Sequence, residues 1–208
     1  MKVFIIGGSG FIGTRLCQRL KNDPSINFII LDKNKSEFFP NEHVYCDIRN
    51  IESLRELLIN CDCVINLAAE HKDNVVPKRL YDEVNVEGAD NLVKVCEEKN
   101  INHIIFTSSV AVYGFTKPNT DESGPFNYYN DYGRTKYEAE KIYQKWYEKD
   151  PEIRTLTIIR PTVVFGERNR GNVYNLIKQI NSGLFLQIGD GNNIKSMAYV
   201  ENVAAFIE

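Results

Sequence analysis

With 208 residues the chain is long enough to bury the core of one domain and to begin a second, and its 43% hydrophobic and 25% charged residues are those of a globular protein. A net charge of −3 with no Lys/Arg-dense block argues against a nucleic-acid partner, and no apolar run approaches the roughly 20 residues of a membrane span. The five cysteines (Cys17, Cys46, Cys61, Cys63, Cys96) are odd in number, sit among apolar residues and lack partners at zinc spacing, so reduced buried thiols are expected and a metal site is not.

The opening MKVFIIGGSG holds five apolar residues in its first six before glycines intervene. That is too short for the apolar region of a signal peptide, so it reads as a first strand and the expected location is cytoplasmic. Strands are predicted over 3–6, 27–31, 43–46, 63–67, 103–107 and 155–160, aliphatic and with little polar alternation, as strands covered on both faces require. Helix-period segments run between them over 11–21, 51–59, 78–99 and 131–147. The expected fold is α/β, a doubly wound parallel sheet with right-handed crossovers. Past Phe165 the pattern changes to a helix over 172–182, a glycine-rich turn (Gly189-Asp190-Gly191) and a last helix, VENVAAFIE, that reads as unfinished at Glu208. Residues 1–166 are expected to form a dinucleotide-binding Rossmann domain, and 167–208 the truncated beginning of a substrate-binding region.

The first strand runs into GGSGFIG at 7–13, which contains Gly8-x-Gly10-x-x-Gly13 and opens a helix. A pyrophosphate needs backbone N–H groups at close range and a helix N-terminus aimed at it, and side chains here would block the approach. Gly7, Gly10, Phe11, Ile12 and Gly13 are therefore candidate cofactor contacts. Asp32 ends the second strand, where a carboxylate reaches the adenosine ribose; it should hold the ribose hydroxyls and repel a 2′-phosphate, favouring NAD over NADP. Lys33 and Lys35 weaken that preference without reversing it.

Tyr-x-x-x-Lys occurs four times, as Tyr113/Lys117, Tyr132/Lys136, Tyr137/Lys141 and Tyr174/Lys178, so the motif alone selects nothing. Useful chemistry needs a phenol, of ordinary pKa about 10, brought toward neutrality by a cation one helical turn away and beside a hydroxyl that shares its proton. Tyr113 sits in a loop flanked by Gly and Pro, and Tyr174 on a later helix. On the 131–147 helix, Tyr132, Lys136, Ala139, Tyr143 and Trp146 form one stripe, predicted to face inward. Tyr137 and Lys141 fall on the opposite side, which is expected to be solvated or subunit-facing. Tyr132 also lies in the first helical turn, where the macrodipole favours a phenolate. The matching hydroxyl is sought at the end of the fifth strand, among Thr107, Ser108 and Ser109.

GGSGFIG (7–13), CDIRN (46–50), NLAAE (66–70), NVEGADNL (85–92), FTSSVAVYG (106–114), YGRTK (132–136), RPTVVFG (160–166) and GDGNNIKSMAYVENVA (189–204) together resemble the extended short-chain dehydrogenase/reductase family, in particular its nucleotide-sugar epimerase/dehydratase group. The resemblance implies that Asp47 and Ile48 hold the adenine, that Leu67, Ala68 and Ala69 run along the middle of the NAD, and that Asn85 braces the loop beside it. By residues alone, Asp47 could instead cap a helix and Asn85 be a polar helix residue.

Position in the family pattern makes Ser109 the catalytic serine, leaving Thr107 and Ser108 to satisfy backbone or cofactor groups. The Asp-Glu pair that follows this hydroxyl in the group's 4,6-dehydratases is replaced by Val110 and Ala111, which argues against a dehydratase. Tyr132 as phenolate would take a sugar hydroxyl proton, with Ser109 on the reacting oxygen and Lys136 holding both the phenolate and the nicotinamide ribose. Lys195 stands where the family commonly has a diphosphate-binding arginine, and Asn172 is a second substrate contact. The expected activity is NAD-dependent epimerisation of a nucleotide-diphosphate sugar, with a UDP-sugar as the implied substrate, through a transient 4-keto form. The alternatives are a keto-sugar reductase and a non-catalytic dinucleotide binder. A homodimer through the helices after the fourth and fifth strands is the expected assembly.

Overall fold

The computed structural model describes residues 1–72, 74–187 and 189–208. β1 (Lys2–Ile6), β2 (Asn27–Asp32), β3 (His43–Tyr45), β4 (Cys63–Asn66), β5 (His103–Thr107) and β6 (Thr155–Ile159) form one sheet in the order β3-β2-β1-β4-β5-β6. Every neighbouring pair is parallel. The strand order reverses between β1 and β4, and the loops leaving those strands stand side by side at the C-terminal edge. Ligands collect at such a reversal in open α/β sheets.

Alternate residues of the strands feed two cores, as the pleat requires. Phe4, Ile6, Val64, Ile104 and Phe106 pack with Leu54 of α2 (Ile51–Leu57), Leu92 and Cys96 of α3 (Gly88–Lys99), and Ala139, Tyr143 and Trp146 of α4 (Asp131–Glu148). Val3, Ile5 and Ile30 pack on the other face with Leu16 and Leu20 of α1 (Phe11–Leu20) and Val203, Ala204 and Ile207 of α6 (Val200–Ile207). Each such aliphatic or aromatic side chain stabilises the fold by about 1.5–3 kcal/mol relative to an exposed one.

α6 packs across the expected division at residue 166. Residues 200–207 complete the layer of α1, because their apolar face meets that helix. A short parallel pair, β7 (Val163–Phe165) with β8 (Met197–Tyr199), brackets α5 (Asn172–Asn181) and was not expected, three-residue strands being too brief for a period. The segment predicted helical over 78–99 is helical in two parts: a π-helical turn over Asp82–Glu87 precedes α3.

Candidate active site

The glycine loop and the loop after β4 touch backbone to backbone. Gly7 has φ +79°, and a Cβ there would stand 2.6 Å from the Ala68 nitrogen. A Cβ on Gly13 would stand 2.5 Å from the Gly8 Cα, so α1 enters tight against the loop. Gly10 caps α1 without a side-chain hydrogen bond, which leaves the first-turn N–H groups of Phe11, Ile12 and Gly13 to an anion. The Ser9 hydroxyl in this loop is buried without a hydrogen-bond partner. A glycine cradle with an orphaned polar atom fits a diphosphate.

Asp32 is 8% exposed, and one of its oxygens accepts from Ser9 N at 3.1 Å and the other from Asn34 N at 2.8 Å. Those bonds fix the carboxylate at the end of β2 beside the glycine loop. Asp47 does not cap α2: Asn50 does, its Oδ1 accepting from Ser53 N at 3.1 Å. The Asp47 carboxylate is held by Arg49, with Nη2 at 2.6 Å, and these bonds keep its pKa below the usual carboxylate range. Ile48 is buried against Gly88, where a Cβ would meet its side chain at 2.9 Å. Leu67, Ala68 and Ala69 line the adjoining loop half-buried. Asn85, within the π-helical turn, accepts from Glu70 N at 2.8 Å and donates to Glu70 O at 3.0 Å and to Thr135 Oγ1 at 2.9 Å. It thereby ties that loop to α4.

Ser109 ends the stretch after β5 and caps a 3₁₀ turn over Val110–Tyr113, its Oγ accepting from Ala111 N at 3.1 Å. Gly133 of α4 abuts this turn: a Cβ there would lie 2.5 Å from the Ala111 carbonyl oxygen. Asn130 caps α4 by accepting from Gly133 N at 2.8 Å. Cap and close contact hold the first turn of α4, with Tyr132, against the turn that Ser109 caps, and the Ser109 hydroxyl draws the Tyr132 phenol pKa down. Lys136, one turn on, is 2% exposed, with its ammonium 4.3 Å from the centre of the Phe106 ring. The Thr107 and Ser108 hydroxyls are buried and unpartnered, so neither satisfies a backbone group.

The electrostatics depart from the expected phenolate–ammonium pair. Burial raises the Tyr132 phenol, with the Ser109 hydrogen bond pulling it down, and burial lowers Lys136 to about 7, opposed by Glu140. Desolvation thus opposes the charge on both groups. An unfolded lysine titrates near 10.5, so between about 7 and 10.5 the unfolded chain binds more protons and stability rises with pH through this group. The difference in melting temperature between the wild type and Lys136→Met is expected to move in favour of the wild type across that window.

The inward stripe of α4 is buried at Lys136, Ala139, Tyr143 and Trp146, and Tyr143 accepts from Asn66 Nδ2 at 2.7 Å. Tyr137 is not solvated as expected. Its ring stacks on Phe126 at 4.4 Å and tilts against Tyr128, because the loop before α4 folds over it; Lys141 is exposed. The Tyr113 hydroxyl accepts from Arg160. Asn172 opens α5 and lines a cleft of about 250 Å³ with Phe165, Asn169, Tyr174 and Tyr199. Lys195 is exposed and lines neither that cleft nor a second, of about 430 Å³, formed by Lys78, Tyr81, Tyr128, Asp131 and Arg134. Sequence reasoning missed Gly133, Asn130, Glu140 and Arg160; of these, the Asn cap before a helical run was readable. All five cysteines are free, burial pushes Cys17, Cys61 and Cys63 up to about 12, and no metal-binding cluster occurs among the described residues. No helix among those residues is long and apolar enough to cross a membrane.

The sequence is 50% identical over 206 residues, 99% of the chain, to the N-acetyl-alpha-D-glucosaminyl-diphospho-ditrans,octacis-undecaprenol 4-epimerase of Escherichia coli O157:H7. It is 31% identical, over 97% of the chain, to the sterol-4-alpha-carboxylate 3-dehydrogenase of Saccharomyces cerevisiae. The chain spans 62% of the length of each of these relatives. In fold it is similar to the Thermus thermophilus UDP-glucose 4-epimerase solved with NAD (TM-score 0.85, 23% identity, 99% of this chain and 72% of that one). The UDP-Glc/GlcNAc 4-epimerase of Campylobacter jejuni gives a TM-score of 0.82 at 22% identity, covering 99% of this chain and 72% of that one. These structural likenesses show the Rossmann-type fold. The sequence also matches a family description over residues 3–208, and on that match the chain belongs to the NAD dependent epimerase/dehydratase family.

Proposed function

We propose that the chain carries the cofactor-binding and catalytic part of an NAD-dependent 4-epimerase acting on a diphosphate-linked sugar. What supports this reading is that the loop packed on Gly7 is tied through Asn85 to α4, the helix of Tyr132 and Lys136, whose Gly133 abuts the turn capped by Ser109. Gly7, Gly10, Phe11, Ile12 and Gly13 would hold the diphosphate of NAD, Asp32 the adenosine ribose, and Asp47 and Ile48 the adenine. Leu67, Ala68 and Ala69 would flank the middle of the cofactor, with Asn85 fixing their loop. Bound NAD supplies a hydride acceptor and, when oxidised, a positive charge. Tyr132 takes the proton of the sugar 4-hydroxyl and Ser109 hydrogen-bonds the same oxygen. Lys136 holds the phenolate and the nicotinamide ribose, and Tyr132 returns the proton after the 4-keto sugar has turned over. Val110 and Ala111 supply no acid for loss of water.

Residues 167–208 would begin the substrate-binding region, with α6 also packed on the sheet and with Asn172 and Lys195 toward the substrate diphosphate. The first reading of the carrier is a nucleotide, with UDP the nucleotide. A polyprenol is favoured instead by the 50% identical relative, whose name places N-acetylglucosamine on diphospho-undecaprenol. We also propose a homodimer through α3 and α4, and a cytoplasmic location, which the free buried thiols fit.

Incubating the purified protein with UDP-N-acetylglucosamine or with N-acetylglucosaminyl-diphospho-undecaprenol, and measuring N-acetylgalactosaminyl product, tests the activity and its carrier together. Inversion of neither sugar, with NAD bound, would count against the epimerase reading; net consumption of a reduced cofactor by a keto-sugar would favour the reductase. Replacing Asp32 by Ser is expected to weaken NAD at least about tenfold and to narrow the preference against NADP, as removing a ribose-binding carboxylate should. Fluorescence titration with both cofactors measures it.

A further inference from the structure

We propose that Arg160 is a positioning residue for Ser109: through the Tyr113 hydroxyl it fixes the turn that Ser109 caps against α4, the helix of Tyr132 and Lys136. Arg160 directly follows β6. Its Nε and Nη2 donate to the two carboxylate oxygens of Glu140 at 2.9 Å and 2.8 Å, and Glu140 lies fully buried in α4. Its Nη1 donates to the Tyr113 hydroxyl at 2.5 Å and to the Glu122 carbonyl oxygen at 3.5 Å. Tyr113 is the last residue of the 3₁₀ turn and is itself buried. The guanidinium therefore joins the end of β6, the middle of α4 and the far end of the Ser109 turn through one set of directional bonds.

The other contacts of the turn do not set its place along α4. The Ser109 Oγ accepts from Ala111 N, inside the turn itself. Backbone bonds tie the turn to the chain after β6 and to the loop before α4, Val110 N to Pro161 O at 3.2 Å and Asn127 N to Val112 O at 3.1 Å. Toward α4 the turn presents the Ala111 carbonyl against Gly133 and a row of rings, Tyr113 on Phe126 at 5.7 Å and Phe126 on Tyr137 at 4.4 Å. Stacked rings attract over a range of offsets, so they hold layers together without fixing how far one slides over the next. Hydrogen bonds are directional and do fix it. A buried ion pair adds little stability over apolar side chains of the same volume, and its best-attested use is to set registry. The Glu140–Arg160 pair, extended to Tyr113, sets the registry of the Ser109 turn on α4.

The inference rests on the catalytic roles proposed for Ser109 and Tyr132, but the first half of its test needs neither substrate nor NAD. Tyr113→Phe removes the hydroxyl and keeps both the ring and the Glu140–Arg160 pair. Amide hydrogen exchange followed by NMR is expected to show the Ala111, Val112 and Gly114 amides exchanging at least about tenfold faster than in the wild type, as loss of a hydrogen bond to a charged group implies for a local opening. The amides of Ile105 and Ala139 should not change. The second half is turnover of the sugar that the wild type inverts: kcat is expected to fall about tenfold at unchanged KM, a displacement of about 1 Å being able to cost about 100-fold. Made in a Ser109→Ala background, the same change should cost nothing further, because the link acts through Ser109. Unchanged exchange overturns the proposal, as does an equal loss of kcat in both backgrounds. So does failure of Tyr113→Phe to fold, which would make the bond a structural element. A wild type that inverts no sugar would count against the epimerase reading, and the exchange result would still decide whether Arg160 holds the turn.

Discussion

Tyr132→Phe is expected to lower turnover by about 10²–10⁴-fold, the usual worth of a positioned general acid–base group, while NAD still binds and the fold is kept. The phenyl ring retains the packing of the first turn of α4, and the Asn130 cap and the Gly133 contact with Ala111 do not involve the hydroxyl. Only the phenol oxygen, whose pKa Ser109 draws down, is lost. The measurement is kcat on the epimerised sugar alongside a cofactor titration. Near-normal turnover would remove Tyr132 from the reaction. Tyr137, the other tyrosine of YGRTKYEAEK with a lysine four residues on, would not take its place: its ring is stacked on Phe126 and tilted against Tyr128. A matching loss in Tyr137→Phe would therefore contradict the geometry.

The six sheet strands and the phase of α4 were legible because both are local patterns. Strands buried on two faces must be aliphatic throughout, and a helix with one buried stripe repeats it every three to four residues. What was not legible depends on partners distant in sequence. Glu140 reads as an ordinary surface residue of a charged helix; its burial follows from Arg160, twenty positions later and on another element. Tyr137 reads as solvated or subunit-facing until the loop carrying Phe126 is laid over it. The placement of α6 against α1 joins segments far apart in sequence, and no local periodicity announces that. The electrostatics of the Tyr132–Lys136 pair were only half legible, for a related reason. Spacing supplies the attraction between the two groups, whereas the burial that opposes both charges comes from the assembled fold.

Gly13→Ala is expected to lower NAD affinity at least about a hundredfold and to cost about 1–3 kcal/mol of stability, the range for forcing an extra methyl into a packed site. The added Cβ would meet the Gly8 Cα at 2.5 Å and the Gly8 carbonyl oxygen at 2.6 Å. Both are backbone atoms, so no side chain can swing aside; either α1 retreats or the glycine loop deforms. Each movement spoils the same feature, the first-turn amides of α1 brought up to the crevice beside Ala68. Gly183→Ala is the control. That glycine holds a left-handed backbone, with φ +70°, but a Cβ there meets nothing within 4 Å. It should show only the conformational cost, about 1–2 kcal/mol, and leave cofactor affinity alone. Chemical denaturation and NAD titration of the two variants side by side separate the effects. Equal cofactor affinity in both would mean that the close approach of helix and loop serves packing alone, and that the diphosphate lies elsewhere.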